Sequence, residues 1–409
     1  MPISARLSTL FAPVVIILLL GMFNSDQKED PTILLADISP IVSRPGQNIK
    51  ITYNWNAVPM DKNYSVWVHM KNVSGAIVFQ NDHEPPFPTE TSNWSGRFSY
   101  TQTVILPDSL KSGSYTIVAG LYHKTDRHQL NAGPGVKAVA GLGYEIGQFT
   151  INQNAAIPPL ASDKKVTLDL RAYKISFQDE FNGPLDVSPL GTGTKWMAHT
   201  PYGGDFGDAQ FTDPKSGFPF SIKDGILTIS AKKEQGRWRS GLLSSLDTAN
   251  KGFSQLYGYF EMRAKLPDGP GTWPAFWLLK SPRAKMGFEI DIVEQYGQWP
   301  GILHTAMHWW YPDKRHKGVG DNFRVEDMTK QFHTYGFLWT KQEMIWYFDG
   351  KELWRKPTPS EANEPMYVLI DLALGSGWPV DKTPNPSMML VDYVRVYKPN
   401  PSVPVTGYR

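Results

Sequence analysis

Between Thr32 and Ile151 apolar and polar residues alternate with a period of two, and the apolar positions are mostly β-branched or aromatic. Ile51 to Trp55, Tyr64 to Met70, Ala76 to Gln80, Phe98 to Leu106 and Tyr115 to His123 all show it. Successive side chains of an extended strand point to opposite faces, so each run predicts a strand with one buried face. Turn-forming clusters at Ser43-Arg44-Pro45-Gly46, Pro107-Asp108 and Lys111-Ser112-Gly113 separate the runs. An antiparallel β-sandwich of roughly seven strands is therefore predicted over 31–151. Residues 152–165, NQNAAIPPLASDKK, are polar, contain prolines and lack periodicity, as a linker does. The strand pattern resumes at Leu227 to Ala231, Tyr257 to Leu266, Glu289 to Glu294, Met344 to Asp349 and Val391 to Tyr397. Residues 166–400 thus have the extent of one large sandwich or barrel, followed by a short tail over 401–409. The whole reads as all-β, with no competing helix and no repeat of fixed period.

The N-terminus differs. Arg6 precedes an apolar run from Leu10 to Phe23, and polar residues Asn24 to Asp30 follow. The run is shorter than the roughly 20 residues that span a bilayer as a helix, so residues 1–30 read as a signal peptide or, if uncleaved, an N-terminal anchor. Export to the cell envelope or the extracellular medium is expected, with membrane contact only in the uncleaved case. Composition narrows the rest. The 41 Lys and Arg against 39 Asp and Glu leave a formal charge of +2, so no basic excess points to nucleic acid. Cysteine is absent, which excludes disulfides, thiolate metal sites and cysteine nucleophiles. Eleven of the 14 Trp lie at or beyond Trp196, a clustering that core filling alone does not explain.

The densest chemistry is in Gly287-Phe288-Glu289-Ile290-Asp291-Ile292-Val293-Glu294-Gln295-Tyr296. Like charges on a half-buried strand are costly, and this spacing would put Glu294 on the face opposite Glu289 in a regular strand. A β-bulge between Asp291 and Glu294 would return Glu294 to the face of Glu289 and Asp291, lining one cleft with three acids. Two carboxyls across a sugar ring suffice for retaining glycoside hydrolysis, with the middle acid tuning their protonation. A calcium site or an exposed acidic strand are the competing readings of the same three residues.

The surroundings of this motif resemble glycoside hydrolase family 16, the laminarinase, lichenase and carrageenase group. In the family's order stand FQDEFNG from Phe177, SGLLSS from Ser240, YGYFEMRAKLP from Tyr257, GTWPAFWLL from Gly271, EIDIVE from Glu289, FHTYGFLW from Phe332, FDG from Phe348 and VDYVRVY from Val391. The resemblance implies a concanavalin-type β-jelly-roll whose concave face is a sugar-binding cleft. It implies Glu289 as nucleophile, Asp291 as assisting acid and Glu294 as acid/base, in the bulged subgroup that includes β-1,3-glucanases and galactan-degrading enzymes. No cofactor is then required, and a polysaccharide is the expected partner of a monomeric chain.

Further positions follow from the resemblance together with their chemistry. Trp273 and Trp277 offer apolar faces to sugar rings, with sandwich core the alternative for Trp277. Arg263 could bond a carboxylate or a sugar hydroxyl, or simply form a surface ion pair. His308 is placed near the nucleophile, with His304 as competitor, and Trp309 and Trp310 either extend the aromatic platform or pack inward. Trp378 is a subsite candidate, although Asp371 stands where relatives often carry Asn. The loop from His199 to Phe206 has the character of a cleft rim or of a plain surface loop. Glu180 and Asp392 match positions that hold an optional structural calcium in many relatives. The N-terminal sandwich is expected to bind carbohydrate or act as a spacer, its Trp55, Trp67 and Trp94 serving as core or as platform. A non-catalytic glycan-binding protein and a transglycosylase are the rival functions.

Overall fold

The computed structural model describes residues 30–85, 90–155, 168–281, 284, 286–313 and 316–400. The expected leader, except its last residue, the 401–409 tail and most of the 152–165 linker lie outside the described residues. Strands are nearly the only regular structure of the described chain, and its only helical pieces are short 3-10 turns such as Thr91–Asn93 and Leu170–Ala172.

Burial follows the alternation in the sequence. Along Asn48–Ala57, Ile49, Ile51, Tyr53 and Trp55 are buried while Lys50 and Asn56 are exposed. A five-stranded and a seven-stranded sheet form the N-terminal sandwich. That exceeds the roughly seven strands predicted, because edge pieces such as Thr32–Ile33, Asp37–Ser39 and Val42–Ser43 are too short to show a period. Trp55 and Trp94 meet in the core with ring centroids 4.6 Å apart. Trp67 lies on the other face of its strand beneath the Arg127 guanidinium, 4.1 Å from the ring centre. None of the three is an open sugar platform.

The C-terminal part packs a ten-stranded outer sheet on an eight-stranded inner sheet, the two-layer jelly-roll expected. Across the inner sheet the order is Val187–Ser188, Trp196–Met197, Leu242–Ser244, Met366–Leu374, Thr272–Lys280, Gly287–Glu294, Ile302–Trp310 and His316–Arg324. The outer sheet contains Gly258–Lys265 between Ser387–Pro399 and His333–Trp339. Phe276, Leu278, Phe288 and Ile290 of the inner sheet meet Phe260, Met262 and Phe337 of the outer sheet in one core. The alternate residues Ala275, Trp277 and Leu279 face the other way and, with Tyr367 and Leu369, form a smaller apolar floor on the concave side.

Candidate active site

The strand Gly287–Glu294 carries the irregularity that the motif predicts. Glu289 pairs with His308, Ile290 with Met307 and Asp291 with Ala306, but Glu294 pairs with His304, so one extra residue is accommodated between Asp291 and Glu294. Ile292 and Val293 both enter the inter-sheet core. Each buried aliphatic side chain contributes about 1.5–3 kcal/mol, so together they hold the kink against regular alternation. The indole Nε1 of Trp346, reaching across from the outer sheet, donates 2.9 Å to the Asp291 carbonyl beside the bulge. Glu289, Asp291 and Glu294 consequently line one cavity of about 470 Å³, together with Tyr202, Phe206, Trp273, Trp277 and Trp310.

Each acid has a distinct partner. Trp310 Nε1 donates 2.8 Å to Glu289 Oε2, and Trp273 Nε1 donates 2.7 Å to Glu294 Oε1. Gly287 stands opposite Trp310 in register, and a Cβ there would lie 2.9 Å from the Trp310 Cβ, so glycine lets that indole settle over Glu289. His308 Nε2 lies 3.1 Å from Asp291 Oδ2, and His304 Nε2 lies 3.6 Å from Glu294 Oε2. The two histidines that competed in the sequence therefore each face a different acid. His308 Nδ1 in turn meets His316 Nε2 at 2.8 Å, and His316 stacks on Trp310 with centroids 4.1 Å apart.

Burial first, and Asp291 second, push the Glu289 carboxyl up to about 8, against the pull of His308 and Trp310. Asp291 is raised well above the usual carboxyl range by burial, then by Glu294 and Asp371. Its Oδ2 accepts no well-aligned hydrogen bond among the described residues, and its nearest polar neighbour is His308 Nε2 at 3.1 Å. A carboxyl oxygen of Glu289, one of Asp291 and a ring nitrogen of His308 all lie within 4.8 Å of one another, so the charge on one acts directly on the others.

Asp371 is a fourth acid of the cavity floor. Its Oδ1 accepts 2.7 Å from Trp277 Nε1 and its Oδ2 accepts 3.1 Å from the Ala373 N–H, yet burial dominates and pushes it up to about 8. A raised carboxyl stabilises the fold least when ionised, so its contribution is fully present below about pH 4 and is lost as pH rises towards 8. Asp371→Asn keeps an acceptor for Trp277 and loses the one for Ala373. The variant is expected to be less stable than the parent at pH 4 and to recover on the order of 5 kcal/mol relative to it by pH 8, in denaturant unfolding at both values. A constant difference between the two pH values would show that Asp371 does not titrate in this range.

At other positions the structure decides between the readings the sequence left open, and at some it departs from them. Trp277 is buried but on the cleft floor rather than in the inter-sheet core, and Trp309 is the member of its pair that packs inward. Phe206 and Tyr202 make the His199 to Phe206 loop part of the cavity wall, with Phe206 edge-on to Trp273 at 5.6 Å. Arg263 does not reach the cleft: it lies in the outer sheet on the face away from the core, ion-paired with Asp392 and set over the Phe332 ring. The alternation that buries Met262 and Ala264 forces Arg263 outward. Trp378 is outside the wall of the acid-lined cavity, edge-on to Trp299 at 4.8 Å in the loop after Met366–Leu374. Glu180 and Asp392 do not fit a calcium ion. Both Glu180 oxygens accept from Arg395 at 2.8 Å, and Asp392 is taken by Arg263. Sequence reasoning missed His316 and the anchoring role of Trp346, since only strand pairing brings them to the site.

The family model for glycosyl hydrolases family 16 matches residues 208–395. A β-glucanase of Rhodothermus marinus is 34% identical over 204 residues, covering 43% of this chain and 69% of the relative. The chain belongs to glycoside hydrolase family 16. Within that family it is also similar to the endo-1,3-1,4-β-glycanase EglC of Rhizobium meliloti, at 35% identity over 281 residues, 63% of this chain and 58% of EglC. The solved laminarinase of Rhodothermus marinus is 27% identical, with a TM-score of 0.46 over 56% of this chain and 98% of that one. This family member spans about half the length of the first relatives it matches.

Proposed function

We propose that this protein is an exported, retaining endo-β-glycanase acting on an uncharged β-linked glucan of the 1,3- or mixed-linkage type. The observation that carries the reading is the bulged strand, which turns Glu289 and Glu294 into the same open cavity with a different indole donor on each. Relatives named as a β-glucanase and an endo-1,3-1,4-β-glycanase support the substrate class, and the apolar run from Leu10 to Phe23 supports export.

In the first step Glu289, once its raised carboxyl has given up its proton, attacks the anomeric carbon while Glu294 gives its proton to the glycosidic oxygen. The carbon–oxygen bond breaks and a glycosyl ester forms on Glu289. In the second step Glu294 takes a proton from water, the resulting hydroxide attacks the same carbon, and the Glu289 carboxylate leaves. A protonated Asp291 beside Glu289 donates to it as charge returns to the leaving carboxylate, which is when such a bond is most useful. Trp273 and Trp277 offer indole surface to the sugar, and Trp310 holds Glu289 in place.

Digestion of laminarin and mixed-linkage glucan, followed by product sizing and proton NMR of the first-formed anomer, tests this reading. Mid-chain cleavage with the β-anomer appearing first is expected. An α-anomer appearing first would overturn the double displacement, products longer than the substrate would indicate a transglycosylase, and binding without new reducing ends would indicate a lectin.

A further inference from the structure

The concave face of the inner sheet does not end at the catalytic acids. The strand Ile302–Trp310 contributes Trp310 to the acid-lined cavity, while its His304 and His308 line a second cavity of about 320 Å³ next to it. Asn322, on the edge strand His316–Arg324, continues that wall. The opposite wall is formed by Lys50, Thr101 and Thr103, from the neighbouring strands Asn48–Ala57 and Gly96–Ile105 of the N-terminal sandwich.

The seam is held by specific bonds. Asp321 Oδ2 lies 3.0 Å from Lys50 Nζ, and its Oδ1 accepts 2.7 Å from Thr103 Oγ1. Asn48 Nδ2 donates 3.2 Å to the Asn322 carbonyl. Because Asp321 neutralises Lys50, the cavity presents hydroxyl, amide and imidazole groups and no free cation from that lysine, which suits an uncharged sugar. Among the described residues no Trp, Tyr or Phe of the sandwich is broadly exposed. The sandwich thus has no aromatic platform of its own there, and its polar strand face lies at the end of the catalytic groove.

We infer that the N-terminal sandwich is the far wall of the glycan groove and hydrogen-bonds the part of the polysaccharide that runs on past the catalytic acids. The inference rests on the β-glycanase reading above and adds to it a subsite shared by two domains. It requires chain length to matter: a short oligosaccharide fills only the acid-lined cavity, whereas a long one crosses His304 and His308 and meets Thr101.

The test uses the full chain carrying Glu289→Gln, so that glucans bind without being cleaved, and calorimetry with β-glucan oligosaccharides of increasing length. Thr101→Arg fills the second cavity from the sandwich side. Asp321→Ala, in the other domain, releases the bonds to Lys50 and Thr103. Both are expected to weaken binding of long oligosaccharides about tenfold and of short ones less than about twofold. Unchanged affinity for long chains in both variants, while the Glu289→Gln parent binds them, would overturn the shared wall alone. A Glu289→Gln parent that binds no β-glucan of any length would overturn the functional reading and this wall with it.

Discussion

Glu289→Gln is expected to lower kcat on a β-glucan by about 10⁴-fold while leaving the fold intact. The amide matches the carboxylate in size and still offers an oxygen to Trp310 Nε1, which now donates 2.8 Å to Glu289 Oε2. It cannot displace the leaving oxygen, because a neutral amide is a poor nucleophile and forms no glycosyl ester. The substitution also removes a carboxyl that burial pushes up to about 8, so no loss of stability is expected at neutral pH. Reducing-end release measured beside thermal unfolding checks both halves. Turnover within tenfold of the parent would remove Glu289 as nucleophile, and loss of the unfolding transition would show that it supports the fold instead.

The acid triad was legible in the sequence because its spacing is anomalous. Three carboxyls among Ile290, Ile292 and Val293 make sense on one face only if the strand slips by a residue, and the register does slip there. Trp273 was legible for a similar reason, as an aromatic residue in a matched strand beside the motif. Arg263 misled because a matched strand says nothing about which sheet it joins, and two-layer folds alternate inward and outward residues in both. Glu180 and Asp392 misled because the arginines that occupy them, Arg395 and Arg263, are distant in sequence from at least one partner and meet only through strand pairing. His316 had no local signal: its place beside His308 follows from the hairpin that pairs Ile302–Trp310 with His316–Arg324. The N-terminal tryptophans were ambiguous because an indole suits a core as well as a sugar face, and only the packed sheets distinguish the two.

Glu294→Ala separates the acid/base role from simple electrostatics, because the defect should depend on the leaving group. A sugar hydroxyl leaves as a strongly basic alkoxide unless it is protonated, whereas an activated phenol leaves without help. Turnover of polymeric β-glucan is therefore expected to fall about 10³-fold, while the first step on a nitrophenyl β-glycoside falls about tenfold or less. The second step also loses its base, so a burst of phenol should precede a slow phase, and the glycosyl ester on Glu289 should be visible as added mass on the intact protein. A small anion such as azide, which needs no general base and fits where the side chain was, should restore the slow phase. The truncation also leaves Trp273 Nε1 without its 2.7 Å acceptor, so Glu294→Gln, which retains an oxygen there, serves as the control for indole displacement. Equal losses on polymer and activated glycoside, with no burst in either variant, would take the proton transfer away from Glu294 and assign it to another acid of the cavity.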